Sequence, residues 1–298
     1  MQKTLIKRLV IFVVLTFGIT WGTIFLCRLL FPDPEEAGRT GLFSIVGMMG
    51  PALGHLLTRL LTREGWQETY LGLLGDNKGE SSGRKITSKW LDYHIAVWGQ
   101  SAMILASAVL LCLYKKIPVS LQYSRAYSIG MLLFNAAVGF AGLFVYFGEE
   151  WGWRGYLFPK LRQLTGTVPA LIISGIIWGV WHLPSLLEGL NFGTDLPGYP
   201  VSNVLLMCVY CILMGIFYSW LTQRSGSIWP ATIAHMLQDH ISVGMAALLI
   251  PEAVLEQVDG MTNFYCSLAV ILPLAVPILW AMLRRQKVDE KRKQVFSS

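Results

Sequence analysis

Three groups of ionisable residues lie inside apolar stretches of this sequence, where charged side chains are costly and usually carry a function. The groups are the adjacent pair Glu149 and Glu150, then His182, and then His235 with Asp239 four residues after it. Carboxylate and imidazole side chains carry out general acid–base catalysis, and they also bind zinc. We therefore take these five residues as candidates for one functional site.

The two adjacent glutamates face different directions on a helix. Residues four apart share a helix face, so Glu150 is predicted to pair with Arg154. Glu149 points about 100° away from its neighbour and is predicted to have no local partner. This arrangement favours a structural role for Glu150 and leaves Glu149 available for chemistry. The alternative is that the apolar stretch ends at Phe147, which would leave both carboxylates in water.

The spacing around a turn at residues 165–167 predicts that Glu149 and His182 meet. Both residues lie about 16 positions from that turn, which places them roughly 24 Å from it along two antiparallel helices. The first of these helices must then continue as far as residue 162. Trp178 precedes His182 by one helical turn and is predicted to pack against its imidazole. The alternative for His182 is a structural histidine on an apolar helix.

His235 and Asp239 are four residues apart and share one helix face. Counted from the turn at residues 225–227, His235 lies only about 13 Å deep, which is shallower than the level expected for Glu149 and His182. The alternative for this pair is a polar contact that binds helices together.

The composition predicts which elements carry these residues. Of the 298 residues, 54% are hydrophobic and 14% are charged, and the mean hydropathy is +0.52. A soluble domain has about 25% charged residues. Eight apolar stretches have the length that a helix needs to cross a bilayer. They lie near 7–30, 41–61, 91–114, 127–148, 168–187, 203–222, 228–250 and 262–283. The sequence therefore predicts an all-α, polytopic membrane protein with about eight transmembrane helices.

The distribution of Lys and Arg predicts the orientation. With an even number of spans both termini lie on one side, and most basic residues flank the spans on that side, which makes it cytoplasmic. We predict an N-in/C-in topology, a single integral domain over 1–298, a cytoplasmic loop at 62–90 and a cytoplasmic tail at 284–298. The basic residues behind the net charge of +6 flank the spans, where they set the orientation and face lipid headgroups. No nucleic-acid partner is therefore expected.

The three groups together resemble the motifs of one family. Glu-Glu-x-x-x-Arg at 149–154, aromatic-x-x-x-His at 178–182 and His-x-x-x-Asp at 235–239 are similar to those of the CPBP family. This family contains CAAX prenyl endopeptidases and bacteriocin-processing or self-immunity proteins, which are intramembrane peptidases. The resemblance covers about residues 127–245, and it implies a peptidase core at 127–250.

The resemblance also implies residue roles and partners. Glu149 and His182 would activate a water molecule, while His235 and Asp239 would stabilise the oxyanion of a peptide carbonyl. The structural supports would be Glu150, Arg154 and Trp178. The expected partners are membrane lipids and a peptide or membrane-protein substrate, with lipid-modified substrates included. The expected location is the plasma membrane of a bacterium.

The sequence departs from the family pattern at two positions. Trp178 stands where the pattern usually has Phe. Asp239 stands where the prenyl-processing branch typically has Asn, and an ionised Asp cannot donate a hydrogen bond to an oxyanion. These departures favour a bacterial-type member that cleaves a small peptide or a membrane protein.

Three alternatives stay open at this point. The first is a zinc-dependent peptidase, because Glu149, His182, His235 and Asp239 are all legitimate zinc ligands. The sequence lacks His-Glu-x-x-His, so no cofactor is favoured and glutamate-type catalysis is preferred. The second is a non-catalytic immunity or scaffold protein. The third is a transporter that uses the same residues as a proton relay.

Overall fold

The structure is a computed structural model that describes residues 2–31, 33, 46–74, 86–118, 125–250 and 258–297. Every regular element in these ranges is helical, which confirms the all-α class. The α-helices are α1 (Gln2–Leu30), α2 (Gly50–Thr62), α3 (Ile86–His94), α4 (Gln100–Lys115), α5 (Arg125–Ala141), α6 (Leu143–Gly152), α7 (Phe158–Thr165), α8 (Thr167–Trp181), α9 (Leu183–Leu186), α10 (Val201–Ser225), α11 (Trp229–Met236), α12 (Ser242–Ala247) and α13 (Gly260–Ser297). Three π-helical turns connect neighbouring helices at Ile95–Gly99, Trp153–Leu157 and Leu237–Ile241.

Four helical segments are long and apolar enough to cross a membrane, and they confirm a polytopic, integral membrane protein. They are Gln2–Leu30, Ser88–Lys115, Val201–Ser225 and Gly260–Val288. A fifth span is possible if the bent pair Ile129–Phe140 and Leu143–Thr165 counts as one. The predicted stretches at 168–187 and 228–250 contain only shorter helices, and part of 41–61 lies outside the described residues. The count of eight therefore stays a prediction.

The helix that carries the two glutamates is bent and long. Its two parts meet at an angle of 55°, and the bend falls at Gly142. Beyond the bend the chain is helical from Leu143 to Thr165, through the π-helical turn at Trp153–Leu157. This confirms that the helix continues past residue 162, as the predicted hairpin requires.

Pairs of glycines four residues apart bring the helix backbones together around the site. A Cβ atom on Gly179 would lie 2.6 Å from the Cα of Cys208, and one on Gly175 would lie 2.6 Å from the Cα of Ile212. Helix α8 therefore packs directly on the backbone of α10, in the manner of small-x-x-x-small pairs in membranes. The same spacing recurs at Gly148 and Gly152 of α6, against residues 48–51, and at Gly50 and Gly54 of α2, against Thr16 and Thr20. No such contact exists at Gly22 of α1.

The first part of the predicted loop at 62–90 packs against the helices. In the segment 64–74, three consecutive backbone carbonyls accept hydrogen bonds from the helical part. The Trp151 indole donates to the carbonyl of Thr69, the Ile228 amide to that of Tyr70, and the Trp229 indole to that of Leu71. Residues 75–85 lie outside the described ranges, and helix α3 already begins at Ile86. The predicted tail from residue 284 continues as helix to Ser297.

Glu64 anchors the start of this loop. Tyr156 donates a hydrogen bond to it at 2.8 Å, Lys160 also contacts it, and Arg8 lies 3.5 Å away. Burial acts to raise the pKa of Glu64, but the hydrogen bonds from Lys160 and Tyr156 hold that pKa below its ordinary value of 4.5.

Candidate active site

The predicted site residues lie at the ends of three helices. Glu149 and Glu150 are in the last turn of α6, and Arg154 is in the π-helical turn that follows. Trp178 and His182 lie at the carboxyl end of α8. His235 is in the last turn of α11, and Asp239 is in the next π-helical turn. Turns of this kind are uncommon and occur frequently at functional sites.

Glu149 is held by two indole groups. Its side chain is buried, and its Oε2 atom accepts hydrogen bonds from the Nε1 atoms of Trp178 at 2.8 Å and Trp153 at 3.3 Å. The prediction that Glu149 has no local partner is therefore wrong, because Trp153 lies four residues further along the same helix face. Both hydrogen bonds end on Oε2, so the Oε1 atom accepts neither of them.

Glu150 connects two cationic groups. Its Oε1 atom accepts a hydrogen bond from Nη1 of Arg154 at 2.9 Å and lies 2.9 Å from Nδ1 of His235. All three side chains are buried. The predicted pairing of Glu150 with Arg154 is confirmed, whereas its contact with His235 was not predicted. A carboxylate only accepts hydrogen bonds, so Nδ1 of His235 must carry a proton here.

The predicted pair of His235 and Asp239 is formed. Nε2 of His235 lies 3.3 Å from Oδ2 of Asp239, so each nitrogen of the imidazole faces a carboxylate. The His235 side chain is 5% exposed, whereas that of Asp239 is 46% exposed. Asp239 therefore forms the open edge of the cluster. The direct contact between His235 and Glu150 shows that the two groups meet despite the different levels counted from their turns.

Trp178 is the centre of the cluster. Besides its bond to Glu149, its ring packs edge-on against His235 at 5.5 Å and lies 6.0 Å from the ring of His182. The guanidinium of Arg154 lies 4.0 Å from the Trp178 ring, a cation–π contact. The predicted packing of Trp178 against His182 is confirmed.

His182 is not hydrogen-bonded to Glu149 among the contacts of the described residues. Its Nδ1 atom lies 2.8 Å from the carbonyl oxygen of Trp178, and α8 ends just before it, at Trp181. Because a carbonyl accepts, Nδ1 carries the proton, and Nε2 of a neutral His182 is an acceptor. Trp178 contacts both residues, since its indole donates to Glu149 and its ring lies 6.0 Å from that of His182. The direct meeting of Glu149 and His182 stays a prediction.

Two tyrosines also contact the cluster, and the sequence analysis did not identify them. The ring of Tyr218 stacks on that of His235 at 5.4 Å and lies 5.1 Å from the guanidinium of Arg154. Its hydroxyl group is buried without a hydrogen-bond partner. The ring of Tyr146 lies 5.5 Å from that of His235 on the other side. Helix α10, which carries Tyr218, has no ionisable motif in its apolar part that could have marked it.

A cavity of about 1030 Å³ lies between α4, α12, the segment 189–197 and the start of α13. Its walls are mainly apolar, with Met103, Ile104 and Leu111 from α4. Gln238, the chain neighbour of Asp239, lines it, whereas the side chains of the cluster are not part of its lining. The cavity is large enough for a peptide segment.

The predicted zinc ligands are not arranged as a ligand set. Within the part of the chain that the structure describes, no group of three or more His, Cys, Asp or Glu side chains is placed to hold a metal ion.

Two comparisons with known proteins match this region. Residues 131–241 match the family model of the Rce1-like type II CAAX prenyl endopeptidases. The chain is also 26% identical over 171 residues to CAAX prenyl protease 2 of Methanococcus maripaludis, an alignment that covers 55% of this chain and 63% of that protein. The chain thus spans less than two thirds of this curated relative. The family match contains all three motifs, and the resemblance predicted from them is confirmed.

Proposed function

We propose that this chain is an intramembrane endopeptidase of the CAAX-protease type, with Glu149 as the general base. The observation that carries the proposal is the environment of Glu149. Its carboxylate is buried in a bilayer-embedded bundle, is fixed by two neutral N–H donors, and adjoins a histidine clamped between two further carboxylates. The matching family model is named for CAAX prenyl endopeptidases and the matching relative is named CAAX prenyl protease 2, which supports the same reaction class.

In the proposed reaction, Glu149 takes a proton from a water molecule. The water oxygen forms a bond to the peptide carbonyl carbon, and the carbonyl oxygen becomes an oxyanion. The C–N bond then breaks as the departing nitrogen receives a proton, which leaves Glu149 ionised for the next cycle. The Oε1 atom is suited to take the proton, because the indole groups bind only Oε2. A positioned carboxylate base of this kind contributes about 10²–10⁴-fold to the rate.

His235 is the proposed donor to the oxyanion. Its Nδ1–H is engaged by Glu150, so Nε2–H is the proton that can turn to a substrate. Nε2 now faces Asp239, whose exposed side chain is free of the packing that fixes Glu150. An ionised Asp239 accepts hydrogen bonds and cannot itself donate to an oxyanion. We therefore assign Asp239 to holding the Nε2–H of His235 before substrate binds, and this N–H to leaving Asp239 and stabilising the developing oxyanion.

His182 is the proposed second proton carrier. Its Nδ1–H bond to the Trp178 carbonyl fixes the tautomer in which Nε2 can accept a proton. It would assist Glu149 in activating water and in returning the proton to the departing amine. Glu150 and Arg154 would keep His235 in place through their buried contacts, and Trp178 would hold Glu149.

The proposed substrate is a peptide segment of a membrane-associated peptide or protein. The mainly apolar cavity that Gln238 lines is the proposed place where such a segment binds, one residue along the chain from Asp239. A lipid-modified substrate and a bacteriocin-type peptide are both compatible with an apolar cavity. The orientation with both termini inside, and a bacterial plasma membrane as the location, remain predictions from the sequence.

Catalysis without a metal is part of the proposal. It is tested by metal analysis of the purified protein together with activity after exhaustive chelation. Stoichiometric metal that is lost in His235→Ala, with activity lost in parallel, would replace the glutamate mechanism by a metal-dependent one.

The function is tested by comparing newly formed peptide C-termini in membranes and medium of cells that express the wild type or Glu149→Gln at equal levels. We expect a set of fragments that occurs only with the wild type. Glu188→Gln is the matched control, because Glu188 is a carboxylate paired with Arg28 outside the cluster, and it should give the wild-type set. If the wild type and Glu149→Gln give the same fragments as a deletion strain while both strains still differ from it in phenotype, the protein acts by binding, as a non-catalytic immunity or scaffold protein would.

A further inference from the structure

A second polar pocket lies between the ends of α7 and α10 and the middle of α13. Its volume is about 10 Å³, which is enough for one water molecule or one phosphate oxygen. It is lined by Arg162, Trp220, Gln223, Arg224, Met282 and Arg285. None of these residues belongs to the cluster around Glu149.

The polar groups of this pocket are N–H donors. Nη1 of Arg162 donates to Oε1 of Gln223 at 2.5 Å, which fixes the amide and occupies its acceptor. The Nε2 group of the same amide is buried and has no hydrogen-bond partner. Burial of an unpaired amide donor costs about 1–3 kcal/mol, so an acceptor at this position would be stabilising. Arg285 adds a further guanidinium from α13.

Arg224 is held in the pocket by its neighbours. Its Nε atom lies 2.6 Å from Oδ1 of Asp92, and its guanidinium lies 5.3 Å from the ring of Trp220. Three guanidinium groups from three helices therefore converge on one small opening. Arginine binds phosphate through parallel N–H groups, so this arrangement suits a phosphate better than a carbonyl or a water molecule.

The position of the pocket indicates where the phosphate comes from. All three arginines lie on the side that the sequence predicts to be cytoplasmic, and Trp220 has the aromatic character typical of the lipid headgroup level. Basic pockets between transmembrane helices on that side bind anionic headgroups. We propose that this pocket binds the phosphate group of an anionic phospholipid, with one oxygen on Nε2 of Gln223. The proposal does not depend on the peptidase activity.

The test is native mass spectrometry of the purified chain in detergent, titrated with phosphatidylglycerol, phosphatidylcholine or inorganic phosphate alone. We expect phosphatidylglycerol to bind about fivefold more tightly than phosphatidylcholine, because the choline cation opposes the arginines. Arg285→Gln should weaken the binding of phosphatidylglycerol about fivefold, and Arg285→Gln combined with Arg162→Gln about 25-fold. If circular dichroism shows that the double variant is not folded, the affinity of the single variant Arg285→Gln decides the test.

Arg284→Gln is the matched control. It removes the same charge one residue away, from a guanidinium that lies 3.7 Å from the ring of Trp280, and it should leave the affinity near that of the wild type. Binding of inorganic phosphate with the same dependence on Arg285 would support the site and identify free phosphate as its ligand. Unchanged affinity in Arg285→Gln, or an equal loss in Arg284→Gln, would overturn the proposal.

Discussion

Replacing each of the two adjacent glutamates by glutamine should have opposite effects on activity and stability. In Glu150→Gln the carbonyl oxygen can still accept from Arg154 and from Nδ1 of His235, but the buried guanidinium of Arg154 loses the negative charge that it is paired with. Removing one partner of a buried ion pair costs about 3–5 kcal/mol. In Glu149→Gln a carbonyl oxygen can still accept both indole hydrogen bonds, each weakened from a charge-assisted to a neutral one. The net cost in the free energy of unfolding is about 1–2 kcal/mol, because removing the unfavourable buried charge offsets part of the weakened hydrogen bonds.

The assay measures unfolding in detergent by titration with SDS, together with release of the wild-type set of new C-termini. Glu149→Gln should be nearly as stable as the wild type but inactive. Glu150→Gln should lower the free energy of unfolding by several kcal/mol. The double variant Glu150→Leu with Arg154→Leu should recover part of this loss, because no charge is then left unpaired. Equal stability of the two single variants would refute the division between an ion-paired and a catalytic glutamate. Retained cleavage in Glu149→Gln would refute the general base.

Three further predictions follow from the packing and the charges. Trp178→Phe should lower the free energy of unfolding by about 1.5–3 kcal/mol in the same SDS titration, because it removes a donor to a buried carboxylate. The control Trp181→Phe removes an indole N–H that has no acceptor, and it should cost less. Because the pKa of Glu64 is lower in the folded protein, its ionised form stabilises the fold fully above pH 4.5, and this stabilisation is lost as the pH falls through the lowered pKa. In unfolding measured at several pH values, Glu64→Gln should therefore make the free energy of unfolding less sensitive to acid. Gly179→Ala should destabilise the protein by about 1–3 kcal/mol by pushing two helices apart, while Gly22→Ala, which meets open space, should be neutral or slightly stabilising in thermal unfolding.

The parts of the site that the sequence predicts well are the local ones. Glu150 with Arg154, and His235 with Asp239, each lie four residues apart, and helical geometry alone brings them together. The same rule would have found Trp153 as a donor to Glu149. Trp153 is an uncharged partner, but its indole N–H is as definite a hydrogen-bond donor as a charged group.

The contacts between distant segments could not be predicted by counting residues from turns. The contact between Glu150 and His235 joins positions 85 residues apart. Counting assumes straight α-helices with a uniform rise, but both residues lie next to π-helical turns, and the helix of Glu150 follows a bend of 55°. The Gly175 and Gly179 pair was visible in the sequence, but only the partner helix shows which residues it approaches.

The geometry explains why two adjacent carboxylates can share one buried site with different functions. Glu150 takes up the positive charge of Arg154 and the Nδ1–H of His235, both on a single oxygen. Among the hydrogen bonds of the described residues, Glu149 accepts only from two uncharged indole groups, both on Oε2, which leaves its second oxygen for a proton. A base must hold its proton weakly enough to return it and strongly enough to take it from water, and a carboxylate without an ion pair in a water-poor site meets both needs better than one locked to arginine. The chemistry therefore follows from the helical angle between the two neighbours, which directs one towards the cations and the other towards the indoles.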